Sequence, residues 1–456
     1  MKSTPLPIAS CRLLVATCLS AALFSSCILA ADGFEKPPTL SAAKLSPGTP
    51  LKGKHYQVDN KVPTDGFLAH YSIQSDFGSF RAIGPGQLDV VIAEINAIAK
   101  LNTLEQNDQL VKGAKKSAGD MIDGVKSFVD KPSETLEGIP GGIGRFFQRS
   151  YRNAKTGVQK VQDRRAEQNG QAPAAGPGAN LPGGVAGSST DANGNVYVEA
   201  GQALGSATID ALGFDEDRRQ LARELNVDPY TTNPVLDKKL DEVTWAAFAG
   251  NFGVDMATAL IPGGMLLSSS QRLSNWVYDT PPGDLRLAVE KKLLAMGASQ
   301  DQIDRLLRHR YYSLSMQAAL TAALQDLDGV TGRDAVMPLA LTVASEQQAL
   351  YLIETLRMLD QYHHKVKPLQ QVEVIGTVIA HGKDGELVVV APVDYLSWNA
   401  TVAKFLRNKG LNGKRHSVYL AGDLSSRARA EFQKAGWQVH AHSSLFEPLM
   451  TARTGK

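Results

Sequence analysis

The sequence contains very little cysteine, and all of it lies close to the N-terminus. The three cysteines are Cys11, Cys18 and Cys27, in a chain of 456 residues. Everything after Cys27 lacks a thiol, which excludes disulfide bonds, a cysteine nucleophile and a cysteine-ligated metal from that part of the chain. Its stability must come from burying apolar surface, and its length is sufficient for two or three hydrophobic cores.

The chain also lacks an excess of charge of either sign. It has 48 lysines and arginines against 46 aspartates and glutamates. Without Lys2 and Arg12, which belong to the N-terminal segment, 46 basic residues balance 46 acidic ones. A generally basic surface is therefore not expected, and nucleic acid is not an expected partner. The Walker sequence, G-x-G-x-x-G, G-x-S-x-G and H-E-x-x-H are also missing, which removes common nucleotide-binding and hydrolase signatures.

Residues 1–30 have the pattern of a secretory signal peptide. Lys2 and Arg12 are the only charged residues before Asp32, and residues 13–31 are uncharged and mainly apolar. A basic start, an apolar stretch and the small residues Ala30 and Ala31 predict export, with cleavage after one of these alanines. The predicted location is the periplasm or the outer envelope.

Two alternatives for this segment stay open. The apolar run is almost long enough to remain as an uncleaved membrane anchor, although no basic stop-transfer cluster follows it. The residues before Cys27 loosely resemble a bacterial lipoprotein signal, in which the cysteine carries acyl chains that hold the protein on a membrane. Cys27 is therefore a candidate lipidation site.

Composition and periodicity divide the remaining chain into segments. Residues 31–54 are rich in Pro, Lys, Ser and Gly and are predicted to be an extended linker. Residues 55–165 begin with the alternation typical of a β-hairpin and continue with helical apolar stripes. Residues 166–196 are mostly Gly, Pro, Ala, Ser and Asn, which predicts a second linker.

The second half of the chain changes from helical to mixed patterns. Residues 197–368 show almost only helical spacing, and residues 369–445 alternate strands with helices, which predicts a small domain with a partly parallel sheet. Residues 446–456 are assigned as a C-terminal tail. The predicted fold class is an α+β multi-domain protein with a mainly helical body.

Ligands of parallel sheets gather where the strands end, and this rule selects four candidate residues. Asp394 and Asp423 follow two predicted strands, and we expect them to act as catalytic acids or bases. His440 and His442 are two apart on a predicted strand from Trp437 to His442, so both would face one side and could share a divalent metal. The alternative is that Asp394 and Asp423 belong to helix N-caps and that the two histidines have no common role.

A basic helix is predicted from Ile143 to Arg165. Aromatic and aliphatic residues form one stripe, and arginines cover the other faces, as in helices that lie on anionic lipid. The same pattern also occurs in an ordinary helix with a solvated basic face. The candidate residues for contact with a membrane surface are Arg145, Phe147, Arg149 and Arg152.

Three stretches resemble a family of uncharacterised exported bacterial proteins. They are Asp65–Phe80 (DGFLAHYSIQSDFGSF), Asn226–Gly250 (NVDPYTTNPVLDKKLDEVTWAAFAG) and Ala421–Val439 (AGDLSSRARAEFQKAGWQV). The resemblance implies a shared multi-domain design. It implies no activity and no functional residues.

These observations predict an exported cell-envelope protein that binds or scaffolds, with an envelope protein or an anionic lipid surface as partner. The alternative is a periplasmic hydrolase-like enzyme with a metal or acid/base site at the carboxyl ends of the C-terminal strands. No cofactor is predicted, although the spacing of His440 and His442 would allow a divalent metal to bind. The oligomeric state does not follow from the sequence.

Overall fold

A computed structural model describes residues 33–105, 214–249, 265–267 and 271–452. The predicted signal peptide, Cys27, the predicted basic helix with Arg145, Phe147, Arg149 and Arg152, and the linker at 166–196 lie outside these ranges. The described residues from Glu35 onward belong to one compact unit.

The N-terminal part is built on the predicted β-hairpin. In the hairpin, Gly78 adopts φ of +122°, a conformation that few other residues take easily. The buried side chains of Tyr71 and Ile73 alternate with exposed ones and pack against Leu88 and Ile95 of the following helix. The segment predicted as an extended linker contains a short strand and a helical turn. The elements are β1 (Thr39–Ser41), α1 (Ala42–Leu45), β2 (Tyr56–Val58), β3 (Lys61–Pro63), β4 (His70–Ser75), β5 (Gly78–Ile83) and α2 (Gln87–Glu105).

The middle of the chain is helical, as its spacing predicts. Ser299, Ser313 and Ser345 each cap a helix by accepting a hydrogen bond from the backbone three residues on. The helices are α3 (Phe214–Leu225), α4 (Pro234–Ala249), α5 (Gln271–Asp279), α6 (Pro282–Ala295), α7 (Gln300–Arg308), α8 (Leu314–Asp326), α9 (Val336–Ala340) and α10 (Glu346–Lys365), and the strand β6 is Met265–Leu267.

The C-terminal part contains a five-stranded mixed sheet, which confirms the α+β prediction. Its strand order is β13-β11-β9-β8-β7. The pairs β7–β8 and β8–β9 are antiparallel, whereas β9–β11 and β11–β13 are parallel. A two-stranded parallel pair, β10–β12, lies beyond the ends of β9 and β11. The elements are β7 (Leu369–Val374), β8 (Val378–Gly382), β9 (Glu386–Ala391), β10 (Tyr395–Leu396), α11 (Ala400–Leu406), β11 (Arg415–Leu420), β12 (Asp423–Leu424), α12 (Ser426–Lys434), β13 (Trp437–His440) and β14 (Met450–Ala452).

The sequence predicts one strand through Val372, Val374, Ile375, Val378 and Ile379 and another from Trp437 to His442, and both predictions are wrong in detail. The residues from Val372 to Ile379 form two strands, because Gly376 has φ of +74° and reverses the chain between β7 and β8. The last strand of the sheet ends at His440, because His442 has φ of +50°, which breaks the extended backbone.

One continuous hydrophobic core joins the helical body to the C-terminal sheet. Helix α2 connects this core to a smaller one beneath the hairpin, since Ile98 and Leu101 pack into the first and Leu88 and Ile95 into the second. The predicted domain segments 55–165, 197–368 and 369–445 therefore contribute residues to shared cores. The C-terminal residues also join the fold, because β14 pairs with β6 and Leu449 is buried.

Buried carboxyl groups hold these parts together. Glu94 of α2 accepts hydrogen bonds from the Thr231 hydroxyl (2.7 Å) and the Asn233 amide (2.8 Å) in the loop before α4. Burial raises the pKa of Glu94 to about 7. In the same loop, Asp228 accepts from the Ser315 hydroxyl at 2.5 Å. Burial disfavours ionisation of Glu94 in the folded state, although the two hydrogen bonds favour its charged form.

We expect the free energy of unfolding to fall as the pH rises from about 5 to 7, because three buried carboxyls lose stability over this range and only one histidine gains it. Burial raises the pKa of Glu94, Glu354 and Asp394 to about 7. The folded state binds the protons of these three carboxyls more tightly than the unfolded chain does. The stability that they contribute is therefore complete below about pH 4 and falls as the pH rises towards 7. Burial lowers the pKa of His309 to about 4, which costs stability as the pH falls below about 6.5. Urea denaturation at several pH values measures the profile.

The variant Glu94→Gln separates the contribution of one group. It removes a buried ionisable carboxyl and keeps an amide that can pair with Asn233 and Thr231. The substitution changes the free energy of unfolding at each pH, and we expect this change to be more stabilising at pH 8 than at pH 5 by about 1 to 3 kcal/mol. Glu373→Gln is the matched control, since this glutamate is exposed. If the free energy of unfolding depended on pH equally in the wild type and in Glu94→Gln, the assignment of this contribution to Glu94 would be contradicted.

Candidate functional site

Asp394 lies at the carboxyl edge of the C-terminal sheet, the edge at which the parallel strands β9, β11 and β13 end. Its side chain is buried, and Oδ2 accepts a hydrogen bond of 2.8 Å from the backbone N–H of Ala69. Burial raises the pKa of Asp394 to about 7, and the nearby Asp65 raises it further while His70 lowers it. The position that the sequence predicts for Asp394 is therefore correct, but its neighbour is the N-terminal part of the same chain.

The main chain around Asp394 is hydrogen-bonded to that N-terminal part. The N–H groups of Asp394 and Tyr395 donate to the Phe67 carbonyl at 2.9 and 3.2 Å, and Ser397 N–H donates to the Gly66 carbonyl at 2.9 Å. Gly66 has φ of +92°, which favours glycine at this turn. The backbone around Gly66 and Phe67 thus lies across this edge of the sheet.

The turn that makes these contacts is held by Asp65. One oxygen of Asp65 accepts from the N–H groups of Phe67 (2.8 Å) and Leu68 (2.7 Å), and the other lies 3.1 Å from His70 Nε2. Hydrogen bonds from His70, Leu68 and Phe67 keep the pKa of Asp65 below its usual value although burial opposes this. The Asp65–His70 pair is partly exposed and lies within electrostatic range of Asp394.

Glu35 fixes the start of the same segment. Its Oε2 atom accepts from the Trp398 N–H at 2.6 Å and from the Ser425 hydroxyl at 2.5 Å, and its N–H donates to the Trp398 carbonyl at 2.8 Å. Residues 35–69 are called the N-terminal arm below. The arm is attached to the carboxyl edge at both of its ends, through Glu35 and through Gly66–Ala69.

The helices at this edge are capped by a serine and an asparagine, whereas the alternative in the sequence analysis assigned Asp394 and Asp423 to the caps. Ser425 Oγ accepts from Ala428 N–H and caps α12, and Asn399 Oδ1 accepts from Val402 N–H and caps α11. Neither Asp394 nor Asp423 acts as an N-cap. Ser397 Oγ and Asn399 Nδ2 are buried without a hydrogen-bond partner within the described part of the chain.

Asp423 and the two histidines are more exposed than Asp394. His442 Nε2 lies 3.9 Å from Asp423 Oδ2, and the His442 side chain is 72% exposed. His440 instead stacks on Tyr419, with ring centroids 4.3 Å apart. The expectation that both histidines face one side of a strand is wrong, because His442 lies beyond β13. Within the described ranges, no group of three or more His, Cys, Asp or Glu side chains is arranged to hold a metal.

Gly422 shows how closely the backbone segments approach one another. A Cβ atom at this position would lie 2.1 Å from the carbonyl oxygen of Asp394 and 2.8 Å from that of Val393. Glycine is therefore required by the crossing of two loops. The space beside it is filled by the protein's own backbone and leaves no approach for a phosphate group.

A small cleft lies between the hairpin, α10 and the loop after β9. It encloses about 20 Å³, which is room for a water molecule. Its polar wall is Glu354, which pairs with Arg357 at 3.0 Å and accepts from Leu449 N–H at 2.6 Å. Burial raises the pKa of Glu354 to about 7, against the opposing effect of Arg357. Both carboxyl oxygens of Glu354 are therefore engaged in contacts within the fold.

Sequence reasoning missed the arm's contribution to this edge. Glu35, Asp65 and His70 were not candidates, because they lie more than three hundred residues before their partners in the C-terminal sheet. The local signal that was present is the pair Asp65-Gly66, which predicts a tight turn. It does not reveal what the turn contacts.

Comparisons with protein-family models, curated proteins and solved structures found no match to this chain. The resemblance to exported bacterial proteins therefore stays a prediction. Among the described residues, none of the helices combines the length and the apolar character needed to cross a bilayer.

We expect Asp394→Ala to lower the free energy of unfolding by about 1 to 3 kcal/mol, because it leaves the Ala69 N–H buried without an acceptor. Asp423→Ala is the matched control at the same edge, and its partly exposed side chain should change stability by less than about 0.5 kcal/mol. Urea denaturation at pH 5 measures both, since Asp394 is mainly protonated there. Equal effects of the two substitutions would contradict the assignment of Asp394 to a buried contact.

Proposed function

We propose that this protein is an exported cell-envelope protein that binds or scaffolds a partner. The observation that carries the proposal is the closure of the carboxyl edge. Parallel sheets bind small ligands where their strands end, and here Gly66, Phe67, Ala69 and Glu35 occupy that position by hydrogen bonds. A catalytic role for this edge would require the arm to leave first, whereas a binding role leaves the fold intact and uses its outer surface.

Export is supported by the amino-acid sequence. The basic start and the apolar stretch to Ala31 are typical of a protein that leaves the cytoplasm through a signal peptide. The buried carboxyls and the continuous core provide stability without disulfides.

The competing function is a hydrolase that uses acid/base chemistry at the carboxyl edge. One observation favours it: Asp394, with its pKa of about 7, is close to the Asp65–His70 pair. A carboxyl that titrates near neutral pH can exchange protons with a substrate. The contact between Asp394 and Ala69 opposes this role, because the carboxyl already serves a structural hydrogen bond.

We expect expression in a Gram-negative host to place the protein in the periplasmic or membrane fraction, in processed form. Mass spectrometry of the N-terminus should find Ala31 or Asp32 first, or Cys27 with acyl chains. The Cys27→Ser variant separates these outcomes. It changes the cell fraction that contains the protein, and the mass of the processed chain, only if Cys27 is acylated. A full-length chain beginning at Met1 in the cytosol would contradict the proposal.

Metal analysis tests the competing enzyme. We expect the protein, dialysed against zinc and then against buffer, to retain far less than one metal per chain. The double variant His440→Ala, His442→Ala should give the same result, because the two side chains have different neighbours. One metal per wild-type chain that is lost in the double variant would favour a metal site at the edge and contradict the binding proposal.

A further inference from the structure

The edge of the C-terminal sheet opposite to the arm is strongly basic. At this amino edge the strands β9, β11 and β13 begin, and the helices α10, α11 and α12 end. Turns and helix ends there carry nine cationic side chains, all of them exposed: Lys365, Lys367, Lys383, Lys404, Arg407, Lys409, Lys414, Arg415 and Lys434. We call these nine residues the basic edge.

Only part of this charge is neutralised by carboxylates. Lys367 and Arg415 share the acidic pair Asp384 and Glu386, and Lys365 pairs with Glu447. Within the described part of the chain, five lysines of the basic edge make no ion pair: Lys383, Lys404, Lys409, Lys414 and Lys434. The basic edge is therefore positively charged overall.

Compensation of helix dipoles explains some of these cations but not all. Lys365, Lys404 and Lys434 lie in the last turns of α10, α11 and α12, where a positive charge offsets the negative end of the helix. Lys383, Lys409 and Lys414 lie on turns and loops. Their charges need another explanation.

The loops that carry these lysines are held in place. Lys414 N–H donates to the Gly385 carbonyl at 2.8 Å, which joins the loop before β11 to the turn before β9. The Lys414 stem lies against Gly385, where a Cβ would contact it at 3.1 Å. Gly410 N–H donates to Asn408 Oδ1 at 2.9 Å. These hydrogen bonds fix the backbone of the turn before β9 and of the loop before β11.

The same surface has an exposed apolar side chain. Val366 is 45% exposed and is one of two large hydrophobic residues that are exposed in the described ranges. It lies between Lys365 and Lys367. An apolar side chain flanked by lysines is suited to the boundary between lipid headgroups and acyl chains.

We propose that the basic edge is a docking surface for anionic phospholipid. This inference rests on the proposed function, because it names a partner that an envelope protein meets. Lysines outnumber arginines here, and the aromatic Trp437 is buried, which makes the surface less suited to stacking the bases of single-stranded nucleic acid.

Vesicle flotation of the complete exported chain tests this proposal. Wild-type protein should float with phosphatidylethanolamine vesicles that contain about one third phosphatidylglycerol, at about 0.1 M salt, and not with phosphatidylcholine vesicles. The triple variant Lys383→Glu, Lys409→Glu, Lys414→Glu should bind at least about 100-fold more weakly. These side chains are exposed and make no ion pair, so circular dichroism and the thermal midpoint should be unchanged.

The matched control is the triple variant Lys36→Glu, Lys52→Glu, Lys54→Glu, which alters the net charge equally on exposed lysines of the arm. It should bind like the wild type. Equal loss in both triple variants would overturn the proposal, as would undiminished flotation of the basic-edge variant or equal binding to phosphatidylcholine. Binding to duplex DNA without flotation would assign the basic edge to nucleic acid and also overturn it. Absence of flotation in a protein that is processed and exported overturns this inference alone.

Discussion

The Phe67 carbonyl accepts hydrogen bonds from two successive backbone N–H groups, those of Asp394 and Tyr395. This contact determines what the C-terminal sheet can do, because it fills the edge where ligands of parallel sheets bind. The neighbouring contacts depend on the same placement of the arm. While the turn at Gly66 lies against the sheet, the Ala69 N–H can reach the Asp394 carboxyl. The same placement lets Glu35 bind both Trp398 and Ser425.

Closing the edge has an electrostatic consequence. Asp394 is removed from water, like Glu94 and Glu354 at other junctions, and all three have a pKa of about 7. Buried carboxyls with a raised pKa cost stability when they ionise. The nine cations of the basic edge lie at the other end of the sheet, so one end binds the protein's own arm and the other is where we propose that anionic phospholipid binds.

Much of the fold could be predicted because its signals are local. Alternation predicted the hairpin that became β4 and β5, and strand-helix alternation predicted the parallel pairs. The errors have local causes too, namely the positive φ angles of Gly376 and His442. The candidate site was predictable only in part. Strand order places Asp394 at the edge, but its partner Ala69 lies 325 residues earlier, and no local pattern encodes that contact.

Amide hydrogen exchange at Ala69, Asp394 and Ser397 tests the closed edge most directly. Each of these N–H groups donates across the contact between the arm and the sheet. If the arm is an integral part of the fold, they should exchange as slowly as the amides of Val388 and Val390 within β9 and with the same dependence on denaturant, since both require global unfolding. Exchange at the rate of the exposed turn at Gly329, while β9 stays protected, would show that the arm opens on its own and would contradict the account.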